Sequence, residues 1–587
     1  MDPSGHRVAM PLLPIVLAAA ALGVVTTAAD MRPNIVLIIA DDLGFNDVSF
    51  RGSNQIPTPN IDALAFSGVI LNQHYVLPTC TPSRTAILTG QYPIRTGMQG
   101  YPLKAGEARG LPLQFPTLPE RLAALGYRTN LVGKWHQGYH HAEYTPLRRG
   151  FHHHLGYWNG YMSYFSHAVH MDSAHGLEEG RIGFDLHLDA EPAWHLRGQY
   201  ATHLFTEHAE DIIAQHNSTA GPLYLQLAHL AAHAGLNGTY LEVPDEELND
   251  KRHGYIVGSD RRHLAGVIRE LDESVGRVVR ALDEKGILDN TIIVFMADNG
   301  GETLGPHSNH ASNWPLRGQK WTVYEGGVRG AAVVWSTKLA RPGSLHQNLV
   351  HATDWLPTFY QAAGGNMSDL GPLDGVSQWG SLTSASALAP RSEVLVNIDE
   401  AGALIQRDWQ ADWKLVRGQQ SPDRSGYVSE SGHGAEVPAY NVSAVLASEA
   451  AAALGKHLPA LTEAAVRQRR ADAATGAGPC QAVADTLDLA CKPYCLFNLR
   501  TDPCEAVDVR DAHREVGDRL LERLAYWENL TVPQINQPVD EAADPRQHNM
   551  TWVSWLDVQP QPPATAAGVT AAPLAILAVL LPAVCFL

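Results

Sequence analysis

Two stretches of this chain, NIVLIIADD at Asn34–Asp42 and TIIVFMADN at Thr291–Asn299, are apolar almost throughout and then stop abruptly at acids. An apolar run without polar alternation fits a strand covered on both faces, and such strands belong to parallel sheets lying between helix layers. Between the two runs, helical and extended patterns alternate. TPNIDALAFSGVILNQHYV reads as helix, glycine stop and strand. FPTLPERLAALGYRTNLVGKWH repeats it, with a helix from Thr117, a stop at Gly126 and a strand over Tyr127–Val132. PLYLQLAHLAAH supplies another apolar strand leading into a loop. Further on, Leu264, Val267, Ile268, Leu271, Val275, Val278, Val279 and Leu282 recur at helical spacing; Ser259 or Asp260 is placed to cap that helix and Gly286 to end it. Strands alternating with helices predict an α/β fold, a large mixed, mostly parallel sheet sandwiched by helices.

From about residue 392 the texture changes. EVLVNIDEAGALIQRDWQADWKLVRG reads as short strands with tight turns, the pattern of an antiparallel sheet. The expected organisation is a leader over 1–29, an α/β domain over 30–390 and a smaller α+β domain over 391–540. An Ala-, Ser- and Gly-rich insertion over 419–479, with a helical part from Ser443 to Ala474, interrupts the second domain; a linker and apolar tail fill 541–587. The net charge of −18 argues against nucleic acid as a partner.

The leader has a basic start, an apolar middle and a small-residue end, as secretory signals do. Asn-x-Ser/Thr sequons at Asn217, Asn237, Asn366, Asn441, Asn529 and Asn549 fit the same glycosylating route. The uncharged C-terminal run APLAILAVLLPAVCFL resembles a glycolipid-anchor signal that is itself removed, with a retained anchor helix or a soluble chain as alternatives. These features place the protein in the secretory pathway, in the lysosome or at the cell surface. Of six cysteines, Cys585 lies in the tail and Cys480, Cys491, Cys495 and Cys504 cluster. Among three connectivities, Cys480–Cys491 with Cys495–Cys504 is the expected pairing. Cys80 is left over, an unusual thiol for such a compartment.

In an open α/β sheet the carboxyl ends of strands form the ligand crevice. Asp41 and Asp42 would then face Asp298 and Asn299, and acids gathered this way repel unless a cation lies between them. All-oxygen donors suit a hard ion, calcium or magnesium. Cys80 sits just ahead of a short helix, with Pro82 in the first turn and Arg84 returning to the same face. A thiolate is a soft ligand, mismatched to a hard ion. That mismatch suggests Cys80 does not remain a thiol. Lys134 and His136, two apart in GKWH, would point the same way if their strand continued. The irregularly spaced His140, His141, His152, His153, His154, His167 and His170 read as a solvated loop rather than a zinc site.

CTPSRTAILTG, Cys80–Gly90, matches the sulfatase signature C-x-P-S-R-x-x-x-x-T-G, so the chain resembles the sulfatase family. RPNIVLIIADDLGFNDVSFRGS, GKWHQGY, ADNGG, RGQKWTVYEGGVRG, HATDWLPTFYQAAGG and CLFNLRTDPCE look like its arylsulfatase B branch. The resemblance spans residues 32–395 strongly and 396–535 loosely. It implies the alkaline-phosphatase-like sulfatase fold. It also implies that a formylglycine-generating enzyme converts Cys80 to formylglycine, whose hydrate attacks sulfur with one hydroxyl and permits sulfate release through the other.

By the same resemblance, Asp41, Asp42, Asp298, Asn299 and the modified Cys80 would bind calcium. Arg84 would hold a formylglycine hydroxyl, Lys134 and Lys320 would grip sulfate oxygens, and His136 would pair with the second hydroxyl. A further histidine would assist the leaving alcohol. The usual A-x-H-x-P is here LAHLAAHAGL, without the proline, and His233 aligns better than His229. The implied substrate is a sulfated glycan or small sulfate ester, by branch the 4-sulfate of N-acetylgalactosamine in glycosaminoglycans. A phosphohydrolase on the related scaffold would show Ser or Thr as nucleophile and more zinc ligands. A catalytically silent glycan-binding relative would lack turnover.

Overall fold

The run Asn34–Ala40 forms an interior strand of a ten-stranded sheet, buried at every position. The computed structural model describes residues 32–173, 176–236, 241–305, 307–418, 420–432, 436–475 and 491–558. The expected leader and most of the C-terminal tail, Asn237, Cys480 and Cys585 lie outside the described residues. In chain order the strands are β1 (Asn34–Ala40), β2 (Val69–Tyr75), β3 (Arg128–Lys134), β4 (His153–Tyr157), β5 (Ala168–Ser173), β6 (Gly176–Phe184), β7 (His187–Leu188) and β8 (Glu191–Pro192). They continue with β9 (Leu223–Ala228), β10 (Thr291–Ala297), β11 (Ala332–Trp335), β12 (Ser344–His351), β13 (Glu393–Ile398), β14 (Gly402–Arg407), β15 (Asp412–Gly418) and β16 (Cys491–Asn498).

The large sheet runs β12-β2-β11-β10-β1-β9-β3-β4-β7-β8. Its central pairings β1–β10, β1–β9, β3–β9 and β3–β4 are parallel, whereas β11 runs antiparallel to both β10 and β2. The sheet is therefore mixed and mostly parallel, as the apolar runs predict. Ala40 pairs with Ala297, so β1 and β10 end side by side and release Asp41–Asp42 and Asp298–Asn299 at one edge. Register, set by two apolar runs of equal length, is what brings the acids together.

Helices α1 (Pro59–Ser67), α2 (Cys80–Thr89), α3 (Leu118–Ala124), α4 (Ala201–Gln215), α5 (Glu246–His253) and α6 (Ser259–Glu284) follow in chain order. Thr117 is the N-cap of α3, in a capping box with Glu120. The following strand is Arg128–Lys134; Tyr127 stays outside it, its hydroxyl donating to Pro33 O. Gly258, rather than Ser259 or Asp260, is the N-cap of α6, and the eight apolar positions read from its sequence are all buried.

The smaller sheet, β13-β14-β15-β16, is antiparallel throughout. Helix Arg514–Glu528 covers it, burying Leu520, Leu524 and Trp527 against Leu404, Trp413 and Leu415. Between β15 and β16 the chain leaves this sheet. The expected single helical part from Ser443 to Ala474 is three helices, Val442–Leu446, Glu449–Leu454 and Glu463–Thr475. Gly455 and Pro459 interrupt it. All three pack on α1, so the excursion joins the core of the large-sheet layer.

Both expected disulfides are overturned: Cys491 is bridged to Cys495. In the β15–β16 ladder, Val416 faces Cys495 and Gly418 faces Cys491. Four residue steps on β16 thus match two on β15, and the surplus chain lets the two cysteines approach to a Cα separation of 4.8 Å. Cys504 is disulfide-bonded as well.

Two other expectations change. Of the histidines read as a solvated loop, His140, His154, His167 and His170 are buried. Residues 541–557, expected as linker, pack onto the fold because Trp552 and Trp555 are buried there. Trp552 N–H donates to Phe184 O, its carbonyl accepts from His187 Nε2, and its ring meets Tyr139 edge-on. Trp552→Ala is expected to destabilise the protein by about 3–5 kcal/mol, seen as a lowered urea midpoint. An unchanged midpoint would mean the segment is not part of the core.

Candidate active site

The edge where β1 and β10 end is a buried, highly charged crevice. Asp41, Asp42, Asp298 and Asn299 are fully buried, and Glu302 nearly so. Asp42 takes a left-handed φ of 54°, a conformation that short polar residues tolerate. Its backbone N–H donates to Asp298 Oδ1 at 3.3 Å, and Asn299 Nδ2 donates to Asp42 Oδ1 at 2.6 Å.

Three buried cations face these acids. Arg84, one turn into α2, donates through Nε and NH2 to Asp298 Oδ2 at 3.1 and 2.8 Å. Lys134, the last residue of β3, donates to Asp41 Oδ2 at 2.6 Å. Lys320 donates to Asp42 Oδ2 at 2.6 Å and stands 3.4 Å from Glu302 Oε2. Cys80 opens α2 as a buried free thiol; burial pushes its pKa up, while Lys134 and Lys320 pull it down and Asp41 and Asp298 oppose them. The structure therefore gathers Cys80, Arg84, Lys134, Lys320 and all four strand-end residues around one point.

The charges are unequally balanced. Burial, reinforced by Asp298, pushes Asp41 up to about 8 against the pull of Lys134 and Arg84. Burial would raise Asp42 too, but Lys320, by charge and hydrogen bond, together with the hydrogen bond from Asn299, outweighs it and holds that carboxyl below its usual range. Lys320 is held well above its ordinary value, because Asp42 and Glu302 outweigh burial.

His233 and His229 part company. His229 Nε2 meets Ser274 Oγ at 3.0 Å on α6, within the core. His233 Nε2 lies 3.3 Å from Lys320 Nζ and 3.5 Å from Asp42 Oδ2, while Nδ1 bonds Ala234 O at 2.6 Å. A carbonyl only accepts, so Nδ1 carries the proton and Nε2 presents its lone pair to Lys320. Burial holds His233 well below its ordinary pKa. Asn309 Nδ2 donates to both Asp42 O and Ala232 O, tying the His233 loop to the strand end.

β3 stops at Lys134, and His136 has a φ of 56°, so strand alternation does not place it. His136 Nε2 bonds Leu103 O at 2.8 Å, which puts the proton on Nε2. Nδ1 is left as a buried lone pair with no partner among the described residues. Burial, then Lys134, holds this imidazole neutral, well below its ordinary pKa.

Sequence reasoning passed over several neighbours. Glu302, three residues after Asn299, has both carboxylate oxygens buried without a hydrogen bond among the described residues. Tyr161 stacks on His233 at 5.8 Å and tilts against His307 at 5.7 Å. Only Glu302 had a signal, its place in ADNGGET; the rings come from distant loops.

A hard cation fits this donor set. Asp41 Oδ1 and Asn299 Oδ1 are buried with no hydrogen-bond partner among the described residues, which is costly unless something binds them. Ligand atoms of Asp41, Asp42 and His233 lie within 4.8 Å of one another. Oxygen donors dominate, as calcium and magnesium prefer.

Comparison with known proteins points the same way. The sequence profile of the family described as Sulfatase matches residues 33–365. Arylsulfatase J of Mus musculus is 34% identical over 550 residues, covering 90% of this chain and 81% of that protein. Arylsulfatase A of Homo sapiens is 34% identical over 356 residues, covering 58% of this chain and 66% of that protein. Among solved structures, that titled "Crystal structure of Ps i-CgsB" superposes with a TM-score of 0.63 at 26% identity, covering 86% of this chain and 94% of that one.

Proposed function

Since this chain belongs to the sulfatase family and is a sulfuric ester hydrolase, we propose that it cleaves its esters at Cys80, acting as formylglycine beside a calcium ion. The observation that carries this reading is the convergence of a lone buried cysteine, three cations and four strand-end oxygen donors in one crevice. Asp41, Asp42, Asp298 and Asn299 would hold the ion. A formylglycine-generating enzyme would make the aldehyde during secretion. Together the ion and the aldehyde hydrate would supply charge neutralisation, an oxygen nucleophile and a second hydroxyl.

The chain's own residues do the rest. Lys134 and Lys320 bind sulfate oxygens and offset the charge that develops there. Arg84, anchored on Asp298, holds the side chain at position 80 in place. The leaving oxygen takes a proton from the Lys320–His233 pair, whose Nζ and Nε2 stand 3.3 Å apart. His136 Nδ1, unprotonated in the free protein, accepts the proton of the second hydroxyl.

Mass spectrometry of the peptide containing Cys80 tests this reading. An aldehyde is expected, and an intact thiol in fully active protein would overturn it. His233→Ala is expected to lower kcat by about 10²–10⁴-fold on alkyl sulfate esters, which need a protonated leaving group, and less on aryl sulfates. His229→Ala should lower stability by about 1–3 kcal/mol while keeping turnover, because its imidazole bonds Ser274 and packs against Phe205 rather than reaching Lys320. The reverse pattern would exchange the two roles.

The motifs shared with arylsulfatase B favour N-acetylgalactosamine 4-sulfate in glycosaminoglycans, to be tested against the 6-sulfate. The five sequon asparagines among the described residues, Asn217, Asn366, Asn441, Asn529 and Asn549, are all exposed, as glycosylation on a route to lysosome or cell surface requires. Among the described residues no helix is long and apolar enough to cross a membrane. Release from membranes by phospholipase would show a glycolipid anchor.

A further inference from the structure

Beside the crevice lies a cavity of about 670 Å³, built from parts of the chain far apart in sequence. Thr79 and Pro82, which flank Cys80, and Trp321, which follows Lys320, form its inner wall. Trp321 N–H donates to Pro78 O at 2.8 Å, tying the two segments together. Its indole centroid is 5.9 Å from Lys320 Nζ, and the exposed Tyr101 tilts against it at 5.7 Å. Its lining also includes Asp399 and Glu400, from the turn between β13 and β14, together with Asp423.

Arg424 lies over the Trp321 ring, its guanidinium carbon 5.3 Å from the centroid. Arg424 belongs to the excursion between β15 and β16. Its guanidinium makes no hydrogen bond or close ion pair with a carboxylate among the described residues, although most buried or half-buried arginines here do; its charge acts at longer range on the neighbouring Asp423. A cation resting on an indole keeps its N–H edge free, and that edge is a fork matching a planar carboxylate.

We infer that this cavity receives the hexuronate linked to the sulfated sugar, with Trp321 as stacking platform and Arg424 pairing with the hexuronate carboxylate. The acidic side chains of the lining would accept its hydroxyl hydrogens. The inference rests on the sulfate-ester reading for its place beside the reaction, but the binding it asserts is separate from turnover. It makes Arg424 a specificity residue for a hexuronate-bearing leaving group.

The test measures calorimetric binding of two sulfate-free disaccharides to the full chain. One is a hexuronate–N-acetylhexosamine; the other is the same compound with its carboxylate reduced to the alcohol. The unsubstituted protein should bind the first at least about fivefold more tightly. Arg424→Gln should erase most of that difference, Arg424→Lys should restore part of it, and Trp321→Ala should weaken both ligands alike. Equal affinities in the unsubstituted protein, no binding of either at millimolar concentration, or a preference surviving Arg424→Gln would overturn the inference. Turnover of 4-nitrophenyl sulfate is measured in parallel. Its absence would remove the sulfate-ester reading, whereas sugar binding in the cavity stands or falls on the disaccharide affinities alone.

Discussion

Cys80→Ala is expected to lower kcat/KM on 4-nitrophenyl sulfate by at least about 10⁴-fold, the scale on which removal of a nucleophile acts. Stability should change by only about 1 kcal/mol, since a single buried sulfur is lost from a free thiol. Circular dichroism and the urea midpoint would check that the fold survives. Cys80→Ser separates two explanations of such a loss. Serine keeps one oxygen at the right place but lacks the second hydroxyl, so a rapid-quench experiment should show at most one equivalent of phenol per protein and then none. Steady turnover by either variant would take position 80 out of the chemistry.

Lys320→Ala carries the second largest expected effect, a loss of about 10²–10³-fold in kcat, because it removes a cation from the sulfate and half of the proton-donating pair. It also has a structural cost that Cys80→Ala lacks. Lys320 neutralises Asp42, which is fully buried, and breaking a buried ion pair typically costs about 3–5 kcal/mol. The melting temperature should therefore fall. Added calcium should restore part of it if the ion binds where the ammonium stood. Full activity would remove Lys320 from the site. A lowered melting temperature untouched by calcium would count against a cation among Asp41, Asp42, Asp298 and Asn299.

The lysines of the site are drawn to the same carboxylates that are proposed to hold the ion. Asp41 and Asp42 each hold a lysine, and both lysines are assigned to sulfate. Acids that take up a cation release these ammonium groups, so ion binding and sulfate binding should reinforce each other. Competition by sulfate as product is expected to strengthen as calcium is raised, measurable as a falling inhibition constant.

Much of this was written in local chemistry. The apolar runs ending at Asp41–Asp42 and Asp298–Asn299 determined buried strands and where they stop, because an unbroken apolar strand has to be covered on both faces. The α6 stripe determined its buried face, and the segment Cys80–Gly90 determined a short helix with Arg84 one turn after Cys80, although the sequence pattern puts Cys80 just ahead of that helix and in the fold it is the first helical residue. What depends on meetings between distant segments was left to the tertiary structure. Neither Cys491–Cys495 nor the docking of 541–557 has a local signal; one needs the β15–β16 register, the other the surface that receives Trp552. Which of His233 and His229 reaches Lys320 and which reaches Ser274 is likewise visible only in the folded chain. Glu302 follows Asn299 closely in the chain, whereas Tyr161 came to the site, and Arg424 to the cavity beside it, through the packing of separate segments. Spacing along the chain fixes what a strand or helix can bury, whereas a polar group's partners are fixed only when the folded core closes around it.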